Sequence, residues 1–301
     1  QGHDVITTCS IGISLYPGDA DSAESLLRNA DIAMYSAKES GRDSIRIYSP
    51  GMSSAISERM KLETSLRRAL ERDELELYFQ PQVDLASGKM IGAEALLRWH
   101  CKEHGLVSPS QFIPIAEETG LIIPIGEWVL NEACKKMKHC IDQGYQLSKI
   151  SINVSGIQIT RGNIANTVDQ ALQLHRLSPA NIELEVTESS LMHQLEIAIQ
   201  IMEKLNKLGV SLAIDDFGTG YSSLSYLKKL PIHKLKIDRS FVSGIPHDPD
   251  DATIAKSIIA LAKSLQKKVI AEGIETDEQR QFMISEGCHE GQGYLLAYPM
   301  N

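Results

Sequence analysis

At 301 residues the chain is too long for one small domain, and its 43% apolar and 23% charged residues are those of an ordinary globular protein. A net charge of −9 excludes any global pull toward nucleic-acid polymers or anionic membranes, so an anionic substrate would need local Lys, Arg or metal. Five scattered cysteines with no C-x-x-C pair, no apolar run of about 18 residues and no signal-peptide pattern argue against a disulfide framework, a structural zinc or membrane contact from this segment, and make the cytoplasm the expected location, with any membrane anchor upstream.

Residues 1–50 form one block. Val5–Leu15 alternates like a strand, Pro17-Gly18-Asp19 makes a turn, and Ala23–Lys38 carries Leu26, Leu27, Ala30, Ala33, Met34 and Ala37 at helical spacing. Gly41 is the expected stop, and Ile45–Tyr48 a short strand. This is too little to bury a core alone. Residues 51–73 predict a connecting helix, with Met60, Leu62, Leu66, Ala69 and Leu70 on an apolar side and Glu58, Arg59, Lys61, Arg67 and Arg68 on a charged one.

From residue 74 to 301 strand-like and helix-like segments alternate. The strands predicted are Leu75–Val83, Met90–Trp99, Ile150–Val154, Ile182–Val186, Val210–Ile214, Lys234–Ile237, Val269–Ala271 and a weaker one over Gly293–Leu296. Between them, Met192, Ile197, Ile201 and Leu205 form one core stripe and Ile254, Ile258, Leu261 and Leu265 another. The pattern predicts an α/β (β/α)8 TIM-type barrel behind a small N-terminal α/β fragment, with a doubly wound open sheet as the alternative. No long helix separates the first two strands, so they would form a hairpin and one would run antiparallel.

In such a barrel, chemistry gathers where strands end. The apolar run Val210–Ile214 ends in Asp215-Asp216, then a turn containing Gly218 and Gly220. By itself this is either a metal site with a mobile rim or a solvated turn. Side chains alternate along a strand, so the two acids share a direction only if the strand breaks there. Other strand ends supply Asn153, Glu185, Lys236 and Glu272, and Glu94 sits inside an apolar strand where an unpaired carboxylate is costly. Two carboxylates about 4 Å apart repel by roughly 4 kcal/mol at an effective dielectric of about 20, so such a cluster needs cations. Donors that are all oxygen favour Mg²⁺ or Mn²⁺ over zinc, and Lys236 adds a fixed positive charge suited to a phosphate or a water.

Two resemblances follow from these motifs. Ser10-Ile11-Gly12-Ile13, Ala30-Asp31-Ile32-Ala33-Met34-Tyr35 and Ala37–Arg42 resemble the C-terminal third of a GGDEF diguanylate cyclase domain. The family's signature is absent, which implies a remnant without cyclase activity, and Lys38 and Arg42 are read as solvated surface charge. Glu94-Ala95-Leu96-Leu97-Arg98-Trp99 resembles the signature of the EAL phosphodiesterase family, which cleaves cyclic di-GMP. Tyr78–Pro81, Asn153–Ser155, Glu185–Ser189, Asp215–Gly220, Lys236–Phe241, Ala271–Glu275 and Gln292–Leu295 match in order, over about residues 58–301.

The resemblance implies a barrel with an antiparallel first strand, preceded by a GGDEF remnant over 1–50 and a linker helix over 51–73. It implies that Glu94, Asn153, Glu185 and Asp215 hold one metal, with Asp215 bridging to a second beside Asp216. Lys236 and Glu272 would hold and deprotonate the attacking water, with Gln292 close by. Arg98, Gln80, Asp238 and Glu275 would contact the dinucleotide, and Glu188 would anchor the loop Asp216–Ser223. The implied reaction is two-metal hydrolysis of cyclic di-GMP to linear pGpG. A homodimer is expected, with the linker helix as a dimerisation element. The competing expectation is a module that binds cyclic di-GMP without cleaving it. His289 is read as a surface residue, His233 as a turn residue, and Gly291 as loosening the last strand.

Overall fold

The structure, a computed structural model, describes residues 8–39, 43–145, 147–192, 194–220 and 224–301. The chain divides into two compact units, Gln1–Ala69 and Leu70–Asn301.

In the first unit β1 (Ile11–Ile13) runs parallel to β2 (Ile45–Ile47), and α1 (Ala23–Glu39) connects them. Gly12 lets the helix lie on the strand, because a Cβ there would stand 2.0 Å from the carbonyl oxygen of Ala30. Ala33 and Ala37 are fully buried, but Leu27 is 71% exposed and leaves the predicted stripe. β1 is shorter than the strand expected over Val5–Leu15, and Val5–Thr7, Gly41 and Arg42 lie outside the described residues. Lys38 is exposed as expected. α2 (Pro50–Leu66) follows, with the chain turning through Asp73. Leu62, Leu66 and Ala69 are buried, whereas Met60 is 60% exposed, two residues out of phase with Leu62.

The second unit is the closed eight-stranded barrel. Its wall is built from β3 (Leu75–Asp84), β4 (Met90–Cys101), β6 (Ile150–Asn153), β7 (Ile182–Thr187), β8 (Ser211–Phe217), β9 (Lys234–Ile237), β10 (Lys268–Ala271) and β11 (Glu290–Gly291), while β5 (Gly105–Val107) pairs outside β4. β3 is antiparallel to both neighbours, β4 and β11, and every other adjacent pair of the wall is parallel. The hairpin with no intervening helix is therefore the one that reverses a strand. Around the wall run α3 (Pro109–Thr119), α4 (Ile122–Asp142), α5 (Gly156–Arg161), α6 (Ile164–His175), α7 (Glu188–Met192), α8 (Leu195–Leu208), α9 (Leu224–Leu227), α10 (Arg239–Ser243), α11 (Pro249–Ser264) and α12 (Asp277–Glu286). Among the described residues no helix is long and apolar enough to cross a membrane.

Three expectations need correction. The expected stripes are offset: α8 buries Ala198, Met202 and Leu205 and leaves Ile197 45% exposed, and α11 buries Ala255, Ile258, Ile259 and Ala262 and leaves Ile254 37% exposed. Small residues allow close approach, so Ala198 and Ala255, not their neighbours Ile197 and Ile254, lie on the buried side. The last strand lies upstream of Gly293–Leu296. That segment is a turn in which Leu296 N and Ala297 N both donate to Gly293 O at 3.0 Å. Gly293 crosses over the loop after β10, where a Cβ would meet the backbone of Ile274 at 2.2 Å, so the chain leaves the wall there. Gly291 does not loosen β11: it pairs with Val83 and Ala271 and fits only because it has no Cβ, which would stand 2.4 Å from Leu85.

The barrel interior is polar at two levels. Glu183 and Glu185 on β7, like Lys234 and Lys236 on β9, are two residues apart and so face inward together. All four are essentially without solvent exposure.

Candidate active site

Glu94, in the middle of β4, is buried and held from three sides. Asn153, ending β6, donates from Nδ2 to its Oε1 at 2.6 Å, and Gln292 donates from Nε2 to its Oε2 at 2.7 Å. The same Gln292 nitrogen reaches Oε1 of Gln80 at 2.9 Å, and Gln80 stands directly opposite Glu94 in the β3–β4 hairpin. Lys236 of β9 is the hub. Its Nζ lies 2.5 Å from Glu185 Oε2, 2.6 Å from Glu272 Oε1, 3.0 Å from Asp215 Oδ1 and 3.6 Å from Glu94 Oε2.

The Asp215-Asp216 pair is resolved by a break in β8. Its register to β9 shifts between Ile214 and Phe217, and Asp216 takes a left-handed backbone, φ 51°. This conformation is uncommon outside glycine, with Asp and Asn among the exceptions. Asp216 N donates to Asp215 Oδ1 at 2.9 Å, and Thr219 Oγ1 donates to Asp216 O at 2.8 Å. The break lets both acids converge on Glu272: one oxygen from each of Asp215, Asp216 and Glu272 lies within 4.8 Å of the others. Glu94, Glu185 and Asp215 form a second such group within the same limit, so Asp215 belongs to both.

The electrostatics are those of a site built for added cations. Four carboxylates surround one ammonium, leaving three formal negative charges, or four with Asp216. Burial pushes Glu272 up to about 8, with Asp215 and Glu94 acting in the same direction against Lys236. Burial likewise raises Glu185 well above the carboxylate range, and burial with Asp215 and Asp238 raises Asp216 to about 6. Burial would depress Lys236, but the carboxylates led by Glu185 and Glu272 outweigh it and hold it well above the lysine range. Two buried acceptors, Oε1 of Glu185 and Oε1 of Gln292, have no hydrogen-bond partner. Unpartnered buried oxygens are costly, and an all-oxygen donor set in two overlapping groups fits hard divalent cations.

Glu188, expected to anchor the following loop, is buried at the start of α7, and its Oε2 accepts from Gly218 N at 3.1 Å. Gly220 lies so close that a Cβ would meet Oε1 of Glu188 at 2.8 Å. The end of that loop, Tyr221–Ser223, lies outside the described residues.

Two pockets flank the acidic cluster and share Leu96. One, of about 300 Å³ and mostly apolar, is lined by Arg98, Glu117 and Asn153 among others; the second, of about 230 Å³, is lined by Gln80, Glu94, Asp215, Glu272, Glu275 and Arg239 among others. Arg98 lies over the ring of Tyr78 at 5.4 Å. Glu275 is exposed on the second pocket. Asp238 caps α10, accepting from Ser240 N at 3.0 Å, and stands beside Asp216. His289 is exposed on a different pocket, with Asp84 and Glu290, and His233 precedes β9, its Nδ1 accepting from Leu212 N at 3.1 Å.

Sequence reasoning missed two features. Arg239 lines the second pocket; it lies within the matching stretch Lys236–Phe241, but the sequence reading gave it no role. The second is an ion network one layer below the site. Fully buried Lys234 joins Glu183 at 2.9 Å to Glu290 at 2.8 Å, with Lys149 on Glu183 at 2.5 Å and Lys268 on Glu290 at 3.1 Å. Burial would raise Glu183, but Lys234 and Lys149 outweigh it and draw it down to about 2. The period-2 spelling Glu-Leu-Glu and Lys-Leu-Lys carried that signal. A third acidic group, Glu74, Cys101 and Glu103, already has Arg72 as its cation.

The chain is similar to known proteins along its whole length. Residues 63–299 match the EAL domain family and residues 1–44 the diguanylate cyclase GGDEF domain family. The chain is 47% identical over 298 residues to the bifunctional diguanylate cyclase/cyclic di-GMP phosphodiesterase MucR of Pseudomonas aeruginosa, covering 99% of this chain and 44% of that protein. It is 40% identical over 300 residues to the cyclic di-GMP phosphodiesterase NbdA of the same organism, covering 100% of this chain and 38% of that one. The chain thus spans less than half the length of these relatives. The solved phosphodiesterase structure of PaMucR in complex with c-di-GMP superposes with a TM-score of 0.77 at 49% identity, covering 80% of this chain and 97% of that one.

Proposed function

The chain belongs to the EAL domain family, and on that premise we propose that its barrel hydrolyses cyclic di-GMP to linear pGpG with two divalent cations, Mg²⁺ or Mn²⁺. The observation that carries the reading is the pair of overlapping carboxylate groups sharing Asp215. Glu94, Asn153, Glu185 and Asp215 would hold one ion, and Asp215 with Asp216 the other. When bound, the two ions would acidify the attacking water and neutralise charge on the reacting phosphate.

This chain's own residues do the rest. As a carboxylate, Glu272 is suited to take the proton of the attacking water, and Lys236, 2.6 Å from it, orients that exchange. Gln292 and Gln80 fix Glu94 through their amides. Arg98 can hold phosphate through two bonds where a lysine offers a point charge. Asp238 and Glu275 stand at the rim toward the dinucleotide. The division into a GGDEF remnant, a linker helix over 51–73 and the barrel belongs to the same proposal, as do a homodimer and a cytoplasmic location. Light scattering with and without residues 1–72 tests the dimer.

The direct test is pGpG formation at saturating Mg²⁺. Glu94→Ala and Glu272→Gln are expected to abolish it while circular dichroism stays unchanged, and Ca²⁺ to inhibit it. Full turnover in either variant would refute the reading. Tight binding of cyclic di-GMP by the unaltered chain without any pGpG would replace the enzyme by a binding module.

A further inference from the structure

Arg239 is the first residue of α10, directly after the Asp238 cap. Its aliphatic stem lies across Gly273, where a Cβ would stand 2.5 Å from its Cγ, 2.8 Å from its Cβ and 3.0 Å from its Cδ. The missing side chain at 273 therefore makes the path along which the arginine reaches the pocket wall it shares with Glu272, Glu275 and Tyr294. Among the described residues Arg239 forms no ion pair, while Lys236 is taken up by four carboxylates. A guanidinium left unpaired at the rim of an acidic pocket is free for a ligand.

The same pocket offers two complementary groups. Tyr294 is 48% exposed and its ring is backed by Tyr298, centroids 4.6 Å apart and planes at 22°, a two-ring shelf. Glu275 is an exposed carboxylate. An aromatic face takes any base by stacking. A guanidinium gives two parallel donors, which match O6 and N7 of guanine. A carboxylate accepts from the N1–H and N2–H₂ of guanine's other edge. Adenine carries an amino donor in place of O6 and lacks the 2-amino group, so it would meet the arginine donor to donor and leave the carboxylate unsatisfied.

We propose that Arg239 is a specificity-determining residue that reads the O6/N7 edge of one guanine of the dinucleotide, with the base lying on Tyr294 and its donor edge toward Glu275. The inference rests on the cyclic di-GMP reading and adds how guanine is chosen over adenine. The test is calorimetric binding of cyclic di-GMP and cyclic di-AMP, with Ca²⁺ in place of Mg²⁺ so that affinity is read apart from turnover. Arg239→Met keeps the stem on Gly273 and removes the fork; Arg239→Lys keeps the charge but not the two-bond geometry. In both, the preference for cyclic di-GMP should fall about tenfold to a hundredfold, with little change for cyclic di-AMP. An unchanged ratio overturns the proposal. So does an equal loss for both ligands in Arg239→Met that Arg239→Lys restores, because the residue would then be a general cation. If the unaltered chain binds cyclic di-GMP but makes no pGpG, the hydrolytic reading falls and the guanine contact is still decided by the ratio. If it binds neither dinucleotide, both fall.

Discussion

Asp216 shows how much one residue's backbone can decide. With φ at 51° it ends the alternation of β8, and that single left-handed residue turns two neighbouring acids onto Glu272. Part of the charge they bring is offset by Lys236. Replacing Lys236 by Met leaves buried carboxylates without their counter-ion, which costs about 3–5 kcal/mol. We expect that loss in urea melts of chelator-treated protein, partial recovery with Mg²⁺, and turnover lower by at least about a hundredfold; a variant as stable as the parent without metal would contradict the hub assignment. The pH response follows from the same cluster. Glu272 rises from 4.5 to about 8 and Asp216 from 3.8 to about 6 on folding, so the folded chain holds protons that the unfolded chain releases. Their stabilisation is complete below the unfolded values and is lost as pH rises through about 6 and then about 8. Glu183, at about 2, stays ionised across that window. Melting curves of metal-free protein between about pH 5 and pH 8 should therefore decline relative to Glu272→Gln. Mg²⁺ should remove the decline, since cations bind the ionised carboxylates. A metal-free protein that gains stability over that range relative to the variant would exclude it.

At the scale of elements, the loop after β8 is tied to α7 by one buried carboxylate. Glu188 accepts from Gly218 N and fills the space that glycine at 220 leaves open. Glu188→Ala should leave the barrel folded but raise the Mg²⁺ concentration needed for half-maximal turnover by about tenfold to a hundredfold, as loss of a residue supporting a ligand does. A Mg²⁺ titration that superposes on the parent's would show that the loop does not serve the metal site. The helices illustrate the limit of periodicity. The apolar stripes of α8 and α11 were legible as stripes, yet their buried edge is set by Ala198 and Ala255, not by Ile197 and Ile254. Period 3.6 locates a face only to within about one residue, and contact with the wall settles the phase.

For the whole molecule, the two polar layers divide the labour. The upper layer carries Glu94, Glu185, Asp215, Lys236 and Glu272; the lower one carries Glu183, Lys234 and Glu290 and lines no pocket of the site. Lys234→Met should destabilise the fold by about 3–5 kcal/mol in urea unfolding while kcat/KM per folded molecule stays close to the parent's; a matching fall in kcat/KM would couple the layers. The sequence alone determined the barrel, its reversed first strand and the residues that meet at its mouth, because motif order and strand period survive without coordinates. It spelled out Lys234 and Glu183 as well, though their partners come from strands distant in the chain. Only tertiary structure decided how Asp215 and Asp216 point, where the last strand lies and that Arg239 reaches the pocket. Each of these depends on a close approach between segments remote in sequence: β8 against β9, Gly293 over Ile274, and Arg239 across Gly273. Local propensity cannot encode such contacts, because they exist only once the barrel has closed.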